Sequence, residues 1–271
     1  MRTNRILNVV GVLAISLGLP AVARAGGDAT AGKAKAMACA ACHVSDAAAN
    51  TDIPHLAGQR ATYIAKQLKA FKAGDRKNPL MNALAGSLNE ADIDNLSAFW
   101  AGEAAGSDNK VAPEVAAIRK SKMTFPKDFP KGFTLYSTFN KEAQGLVAKQ
   151  YINAAGLAAV KAGKPISDGA VIIMVNYVPK VDADKKPVVD KDGIWATDKI
   201  KGYEGMEARA GWGKDLPELL RNNTWGYAVF TSDKAVNNEI NQAVCLTCHI
   251  PAAANNYVFG VKKMQAAAAA K

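Results

Sequence analysis

The spacing of apolar residues changes along the chain and divides it into two parts. In the first part, apolar residues recur at the spacing that places side chains on one face of a helix, as in Ile64, Leu68 and Phe71. The pattern predicts a helix over residues 59–73 and another that begins after Asn89, with a shorter helix just before the first cysteine. These elements indicate a small all-α unit.

The second part favours strands. Residues 170–178 form an almost uninterrupted β-branched and apolar run, as expected of a central strand covered on both faces. Residues 203–209 and 224–231 predict further strands, whereas residues 144–162 have a helical pattern and residues 238–244 predict a helical turn. The expected fold class is therefore α+β, with an N-terminal all-α unit followed by a mostly antiparallel β-sheet with flanking helices.

The first 25 residues have the composition of a secretory signal peptide. Arg2 and Arg5 form a basic start, an apolar run follows over residues 6–19, and Ala23-Arg24-Ala25 is a suitable cleavage site. An uncleaved N-terminal anchor is the alternative, although the apolar run is short for a membrane span. We therefore expect an exported, periplasmic protein.

The length and composition allow two domains after this leader. The chain has 271 residues, of which 49% are hydrophobic, so a core can form in each half. A small, polar stretch over residues 102–109 has the composition of a linker. We predict a signal peptide over residues 1–25, a first domain over residues 26–108 and a second domain over residues 109–271.

The charge pattern narrows the expected partners. The formal net charge is +10, but no run of lysine and arginine is interleaved with aromatic residues, so nucleic acid is not expected as a partner. The scattered lysines either provide solubility or attract an acidic redox partner. A soluble or membrane-bound redox protein is therefore the expected macromolecular partner.

Two short segments carry the candidate chemistry. The pattern C-x-x-C-H occurs at residues 39–43 and 245–249, the first and second attachment segments, which together use all four cysteines. In this pattern two thiols from one turn bond to a porphyrin and the histidine binds its iron, so we predict two covalently attached c-type haems. Redox-active or zinc-binding dithiols are the alternative. The predicted haem residues are Cys39, Cys42 and His43 in the first segment and Cys245, Cys248 and His249 in the second.

An electron-carrying haem keeps a second strong protein ligand on its iron. Met81 is the only methionine between His43 and the end of the first domain, and a thioether is a suitable ligand. We predict that Met81 binds this iron from an extended loop over residues 78–81. The alternatives are Met81 as ordinary core filler and His55 as the ligand.

The second haem has no comparable ligand. Four methionines are available in the second domain, and none lies in a loop like that of Met81: Met123, Met174, Met206 and Met264. The alternative to methionine ligation is an open coordination position at which an external molecule binds the iron. We favour the open position.

The first domain carries an ordered set of motifs. They are Cys39-Ala40-Ala41-Cys42-His43, Pro54-His55-Leu56-Ala57-Gly58-Gln59, Tyr63-Ile64-x-x-Gln67-Leu68-x-x-Phe71-x-x-Gly74-x-Arg76, and Asn78-Pro79-Leu80-Met81 with Leu88 and Asp92-Ile93 behind it. This set, which covers the whole domain, resembles a class I cytochrome c. The resemblance implies a low-spin, six-coordinate haem that transfers electrons.

A second ordered set spans residues 120–264. It comprises Phe125-Pro126, Tyr151-Ile152-Asn153, residues 165–169, Gly211-Trp212-Gly213, Trp225-Gly226-Tyr227-x-x-Phe230, the second attachment segment, and Asn256-Tyr257-Val258-Phe259. This set resembles the cytochrome P-460 family, relatives of the β-sheet cytochromes c-prime. The resemblance implies a five-coordinate c-type haem on a β-sheet. Some members carry a lysine–haem cross-link and oxidise hydroxylamine, whereas the sheet-type cytochromes c-prime bind nitric oxide or carbon monoxide without it.

The sequence departs from that family at the cross-link. No lysine of this sequence can be matched clearly to the cross-linking lysine of the family. Lys164 and Lys180 are candidates, and the alternative is that both are solvated surface lysines. Glu207 and Arg209 are either proton-transfer groups near the second haem or exposed charges on a strand edge.

These observations predict a periplasmic dihaem c-type cytochrome. Its second haem binds or oxidises a small nitrogen species, hydroxylamine or nitric oxide, and its first haem transfers electrons. The alternatives are a purely electron-transferring dihaem cytochrome and a gas-binding protein without turnover. The sequence leaves open whether the chain is an enzyme.

Overall fold

The computed structural model describes residues 26–43, 53–103 and 118–270. The helical region is residues 26–103 within this set, and the sheet region is residues 118–270. The predicted signal peptide and the predicted domain boundary near residue 108 lie outside the described residues.

The described residues of the helical region contain four α-helices, of which the periodicity of the sequence predicted three and missed Pro79–Gly86. Helix α1 packs against α4, and α2 packs against both α3 and α4. The helices are α1 (Ala29–His43), α2 (Ala61–Ala73), α3 (Pro79–Gly86) and α4 (Glu90–Gly102). Helix α1 is longer than predicted, because it continues through the first attachment segment.

Local signals fix the start of α4 and the end of α2. Asn89 accepts a hydrogen bond from the Asp92 amide at 2.8 Å, and the Asp92 carboxylate accepts one from the Asn89 amide at 3.1 Å. This reciprocal capping box satisfies two amides at the helix start. Gly74 ends α2 with φ of 78°, a left-handed conformation that favours glycine, and its amide donates to the Phe71 carbonyl.

The sheet region is built on five antiparallel strands in the order β1-β2-β3-β4-β5. Each strand pairs with its sequence neighbours, so the sheet is a meander with three helices beside it. The strands are β1 (Phe133–Lys141), β2 (Leu146–Asn153), β3 (Val171–Pro179), β4 (Thr197–Ala208) and β5 (Trp225–Phe230). The helices are α5 (Ala154–Lys161), α6 (Gln242–His249) and α7 (Val261–Ala269).

The helix predicted over residues 144–162 is wrong in its first half. That half is strand β2, which pairs with β1 on one side and β3 on the other, and pairing on both sides overrides the helical pattern. Helix α5 begins only after Asn153, whose side chain accepts from the Gly156 amide and donates to the Gly169 carbonyl. The helical turn predicted over residues 238–244 is also displaced, because α6 begins at Gln242 and includes the second attachment segment.

Both faces of the sheet are covered, and each belongs to a different apolar cluster. On the first face, Met206 and Tyr227 pack in one cluster with Leu246 of α6, and that cluster continues into Ala41 and Leu96 of the helical region. The opposite face packs against an aromatic segment in the second cluster, which includes Ile173, Val175, Phe230, Phe125 and Phe129. The helical region and the first face of the sheet therefore share one core.

No helix within residues 26–43, 53–103 and 118–270 has the length and apolar character needed to cross a membrane.

We expect Gly32→Ala to destabilise the helical region. A Cβ added at Gly32 would overlap the backbone carbonyl of Asn95 and lie 3.0 Å from Cβ of Phe99, so α1 and α4 would have to separate. The expected loss is about 2–3 kcal/mol of unfolding free energy in a denaturant titration, as for other overpacked contacts. Gly86→Ala in α3 is the matched control, because its Cβ meets nothing within 4 Å. Equal effects of the two substitutions would contradict the close approach.

Candidate functional site

The first attachment segment is the last turn of α1. Cys39 and Cys42 are free thiols three positions apart on the helix, a spacing that places side chains on one face. Burial raises the pKa of Cys39 to about 12, with a further contribution from Cys42, and burial also raises the pKa of Cys42. Redox-active C-x-x-C dithiols have a lowered thiol pKa instead. These thiols therefore do not have the properties of the redox-dithiol alternative.

His43 is held by a backbone carbonyl. Its Nδ1 lies 2.7 Å from the Pro54 oxygen, and because a carbonyl can only accept, Nδ1 carries the proton. Burial lowers the pKa of His43, which favours the neutral ring. The Nε2 lone pair is then available, as in histidines that bind a metal ion.

The structure gives Met81 a helical rather than an extended position. Asn78 caps the start of α3 by accepting from the Leu80 and Met81 amides, and Pro79 occupies the first helical position. The predicted extended loop over residues 78–81 is therefore wrong: Met81 lies in the first turn of α3, half-buried. Its role as an iron ligand stays a prediction. His55, the rival ligand, is exposed.

The second attachment segment ends helix α6 on the first face of the sheet. Asn241 caps this helix, and Cys245 and Cys248 are again free thiols three positions apart. Burial raises the pKa of Cys245 to about 12, with further contributions from the Glu204 carboxylate and from Cys248.

His249 repeats the arrangement of His43. Its Nδ1 lies 2.7 Å from the Tyr257 oxygen, so Nδ1 donates and Nε2 keeps its lone pair. Burial lowers the pKa of His249, while the Tyr257 hydrogen bond and Glu204 oppose the shift. The ring lies between Tyr227 and Phe259, at centroid distances of 4.7 and 5.0 Å.

Asn222 connects the second segment to Tyr227, one of the two aromatic rings that contact His249. Its Nδ2 donates to the Tyr227 hydroxyl at 3.1 Å and to the Leu246 carbonyl at 2.9 Å, and the residue is fully buried. Tyr227 is also buried and belongs to the shared core. The ring orientation of His249 is therefore fixed by packing as well as by its hydrogen bond.

A polar cluster on the first face of the sheet was missed by the sequence analysis. Lys141 Nζ lies 2.8 Å from Glu204 Oε1, and Asn176 Nδ2 donates to the same oxygen at 3.0 Å. Strand register places all three side chains on the face that α6 covers. The effect of Glu204 on the pKa of both Cys245 and His249 indicates that its charge acts on the second segment.

Glu207 and Arg209 do not join this cluster. Glu207 is three positions from Glu204 on the same strand, so its side chain leaves the opposite face of the sheet. There it pairs with Arg209, whose Nε lies 3.1 Å from the Glu207 carboxylate. The suggested proton-transfer role near the second haem is therefore not supported. Lys164 and Lys180 are both exposed, as the surface alternative expects.

The four methionines of the sheet region are distributed over different packing environments. Met123 belongs to the cluster on the opposite face, and Met264 is buried in α7. Met174 and Met206 are on strands of the first face, where Met174 Sδ lies 3.9 Å from Gln150 Nε2. All four lie in strands, helices or packed core. Because Met81 also lies in a helix, the predicted contrast between a loop methionine and these four is not observed.

Comparison with known proteins assigns both regions. A cytochrome c family model matches residues 29–101, and a cytochrome P460 family model matches residues 126–260. Cytochrome c-554(548) of Halomonas halodenitrificans is 38% identical over 81 residues, which is 28% of this chain and 98% of that protein. The chain belongs to the c-type cytochromes. It joins a cytochrome c domain to a cytochrome P460 domain, and both kinds of domain bind covalently attached c-type haem.

Longer relatives are matched only in part. Cytochrome c4 of Pseudomonas aeruginosa is 36% identical over 116 residues, 41% of this chain and 58% of that protein. The thiosulfate dehydrogenase electron acceptor of Stutzerimonas stutzeri is 39% identical over 89 residues, 32% of this chain and 38% of that protein. The chain thus spans less than two thirds of either relative.

The residues of both segments fit such a haem. Each segment presents two thiols at helical spacing beside an imidazole whose Nε2 is free to bind iron, and each lies against an apolar core. Among the residues that the structure describes, no three histidine, cysteine, aspartate or glutamate side chains gather into a metal site, which is what the zinc alternative requires.

We expect each attachment segment of this cytochrome to carry one haem independently. The double variant Cys39→Ala/Cys42→Ala removes both thiols of the first segment, so one covalent haem per chain should remain, at the second segment. Intact-protein mass spectrometry under denaturing conditions counts the covalent haems. Cys245→Ala/Cys248→Ala is the reciprocal variant, and retention of two haems in either double variant would contradict the assignment.

Proposed function

We propose that this dihaem cytochrome binds or oxidises a small nitrogen species, hydroxylamine or nitric oxide, at its second haem and transfers electrons through its first. The observation that carries the proposal is the Lys141–Asn176–Glu204 cluster on the sheet face beside the second segment. Asn176 is buried and the Lys141–Glu204 ion pair is part-buried, so the cluster offers a hydrogen-bonded carboxylate that a plain electron carrier does not need.

The cluster has the chemistry that a small nitrogen substrate requires. Oxidation of hydroxylamine releases protons together with electrons, and the Glu204 carboxylate is a suitable proton acceptor. The Lys141 ammonium holds that carboxylate at 2.8 Å, and Asn176 orients it with a hydrogen bond at 3.0 Å. The haem iron, when bound, supplies a coordination position for the substrate and accepts its electrons.

Gas binding without turnover is the second candidate function. The observation that favours it is the placement of lysines, because Lys164 and Lys180 are exposed and Lys141 is held by Glu204 and Asn176. None of these three lysines is thus an unengaged amine beside the second segment, as a covalent link to the porphyrin would require. The sheet-type cytochromes c-prime bind nitric oxide or carbon monoxide without such a link.

The proposed function includes a periplasmic location for the protein and a redox protein as its electron-transfer partner. Haem attachment in the periplasm agrees with the signal peptide predicted over residues 1–25 and with the c-type cytochromes that the chain resembles. A relative named as an electron acceptor supports a redox protein as the partner of the first haem. Lysines spread over the surface suit a partner with an acidic face.

We expect carbon monoxide to change the spectrum of one haem only. Added to the reduced protein, it should bind the second iron and leave the first haem low-spin, because Met81 is proposed to occupy the first iron. Met81→Ala opens that position, so both haems should then respond, whereas Met174→Ala should leave the response at one haem. Two haems that ignore carbon monoxide in the unmodified protein would contradict the open position.

We expect Glu204→Gln to lower the rate of hydroxylamine oxidation about 100-fold, the usual contribution of a general base, while carbon monoxide still binds. The assay is steady-state reduction of an artificial electron acceptor. Glu207→Gln is the matched control, since Glu207 lies on the same strand but on the opposite face. Equal losses in both variants would contradict the role of Glu204. An unmodified protein that binds nitric oxide but does not oxidise hydroxylamine would favour the second candidate.

A further inference from the structure

The first attachment segment is hydrogen-bonded to the sheet region through the backbone carbonyl of Ala41. The Ala41 oxygen, inside the first segment, accepts hydrogen bonds from Asn241 Nδ2 at 2.6 Å and from Arg119 Nε at 2.9 Å. Asn241 Nδ2 also lies 3.7 Å from Cys42 Sγ, within hydrogen-bond range of a sulfur atom. Both donors come from the sheet region, so this contact crosses between the two haem domains.

The other end of the Asn241 side chain serves the second segment. Asn241 is the N-cap of α6, and its Oδ1 accepts from the Ala243 amide at 3.0 Å. Helix α6 carries Cys245 in its next turn and ends at His249. One amide group therefore contacts a predicted haem-bonding sulfur in the first segment with its nitrogen and holds the helix of the second segment with its oxygen.

Neighbouring contacts hold this junction in place. The buried side chain of Gln242 donates to the Ile118 and Lys120 carbonyls at 3.0 and 2.6 Å, on either side of Arg119. Helices α1 and α3 of the helical region also pack against α6. Because the apolar core is shared as well, the junction is part of the folded interior rather than a contact between independent bodies.

We propose that Asn241 is the positioning residue for electron transfer between the two haems. The proposal rests on the proposed function for the electron-transferring role of the first haem. With both haems bound, one electron would leave the iron of one haem, which would be oxidised, and reach the iron of the other, which would be reduced. No covalent bond forms or breaks, and no proton moves.

The physical reason is the continuity of the contacts. Electron transfer weakens steeply with each gap between bonded atoms, and the amide of Asn241 bridges Cys42 and the start of α6 with two hydrogen bonds. Asn241 thus contributes, together with the shared core, to the separation and the relative orientation of the two attachment segments.

Three variants distinguish the role of the Asn241 nitrogen from the role of its oxygen. Asn241→Asp keeps an oxygen that caps α6 but replaces the nitrogen donor with a second oxygen, which faces the Ala41 carbonyl unfavourably. Asn241→Ala removes both ends. Asn237→Asp is the matched control, because it adds the same charge four residues earlier, where the side chain accepts from the Glu239 amide.

Pulse radiolysis measures the internal step directly. A brief electron pulse reduces the oxidised dihaem protein, and the absorbance of each haem then follows the redistribution of electrons between them. We expect Asn241→Asp and Asn241→Ala to slow this redistribution, because each removes the Asn241 donor that bonds the first segment to the start of α6. Asn237→Asp should match the unmodified protein. Redox titration of each haem allows the rates to be compared at known driving force.

Hydrogen exchange distinguishes an effect on electron transfer from an effect on the capping of α6. The Ala243 amide should stay protected in Asn241→Asp and lose protection in Asn241→Ala, while electron redistribution slows in both. Redistribution in Asn241→Asp at the rate of the unmodified protein, or equal slowing in Asn237→Asp, would overturn the proposal. The test needs two attached haems but no substrate, so failure of carbon monoxide binding would reject the proposed function without affecting this result.

Discussion

Both haem domains depend on one constraint: a single helical turn must present two thiols and a correctly oriented imidazole on the same side. The turn alone supplies the thiols, but it does not orient the histidine. In each segment a backbone carbonyl from a later loop does so, Pro54 for His43 and Tyr257 for His249, at the same distance of 2.7 Å. The two folds differ, yet in each a later loop contacts the attachment turn. Its carbonyl binds the histidine ring at Nδ1, so Nε2 stays available for iron.

What differs between the domains is the kind of element that lies against each attachment turn. In the cytochrome c domain the attachment turn belongs to a bundle of helices, and its candidate ligand, Met81, lies on a short helix whose start is fixed by Asn78. In the cytochrome P460 domain the turn lies on a sheet, where alternate residues of neighbouring strands face it. A sheet can thus bring Lys141, Asn176 and Glu204 together from three strands, because strand register aligns residues far apart in sequence.

The sequence predicted three of the four helices that the structure describes in the first domain, and the last three strands of the sheet, because their apolar spacing matches only one kind of element. It failed at β2 for a physical reason: Val147 and Tyr151 are four residues apart, a spacing that puts side chains on one side of a helix and of a strand alike. The Asn78-Pro79 pair was a helix-start signal that the loop prediction overlooked. The partners of Glu204 were beyond reach, since one lies on a strand that was not predicted and the contact depends on sheet register.

The shared core bears on why these domains occur in one chain. Two separate cytochromes must find each other before an electron passes, and a flexible linker only raises their local concentration. In this chain the two domains share one packed interior, which includes the contacts of Ala41, Asn241 and Gln242. The two attachment segments are therefore held in place and need not meet by diffusion. Such an arrangement gains nothing for a protein that only stores a gas, because binding at one iron needs no second haem. It suits the proposed function, in which each reaction at the second haem is followed by electron transfer to the first.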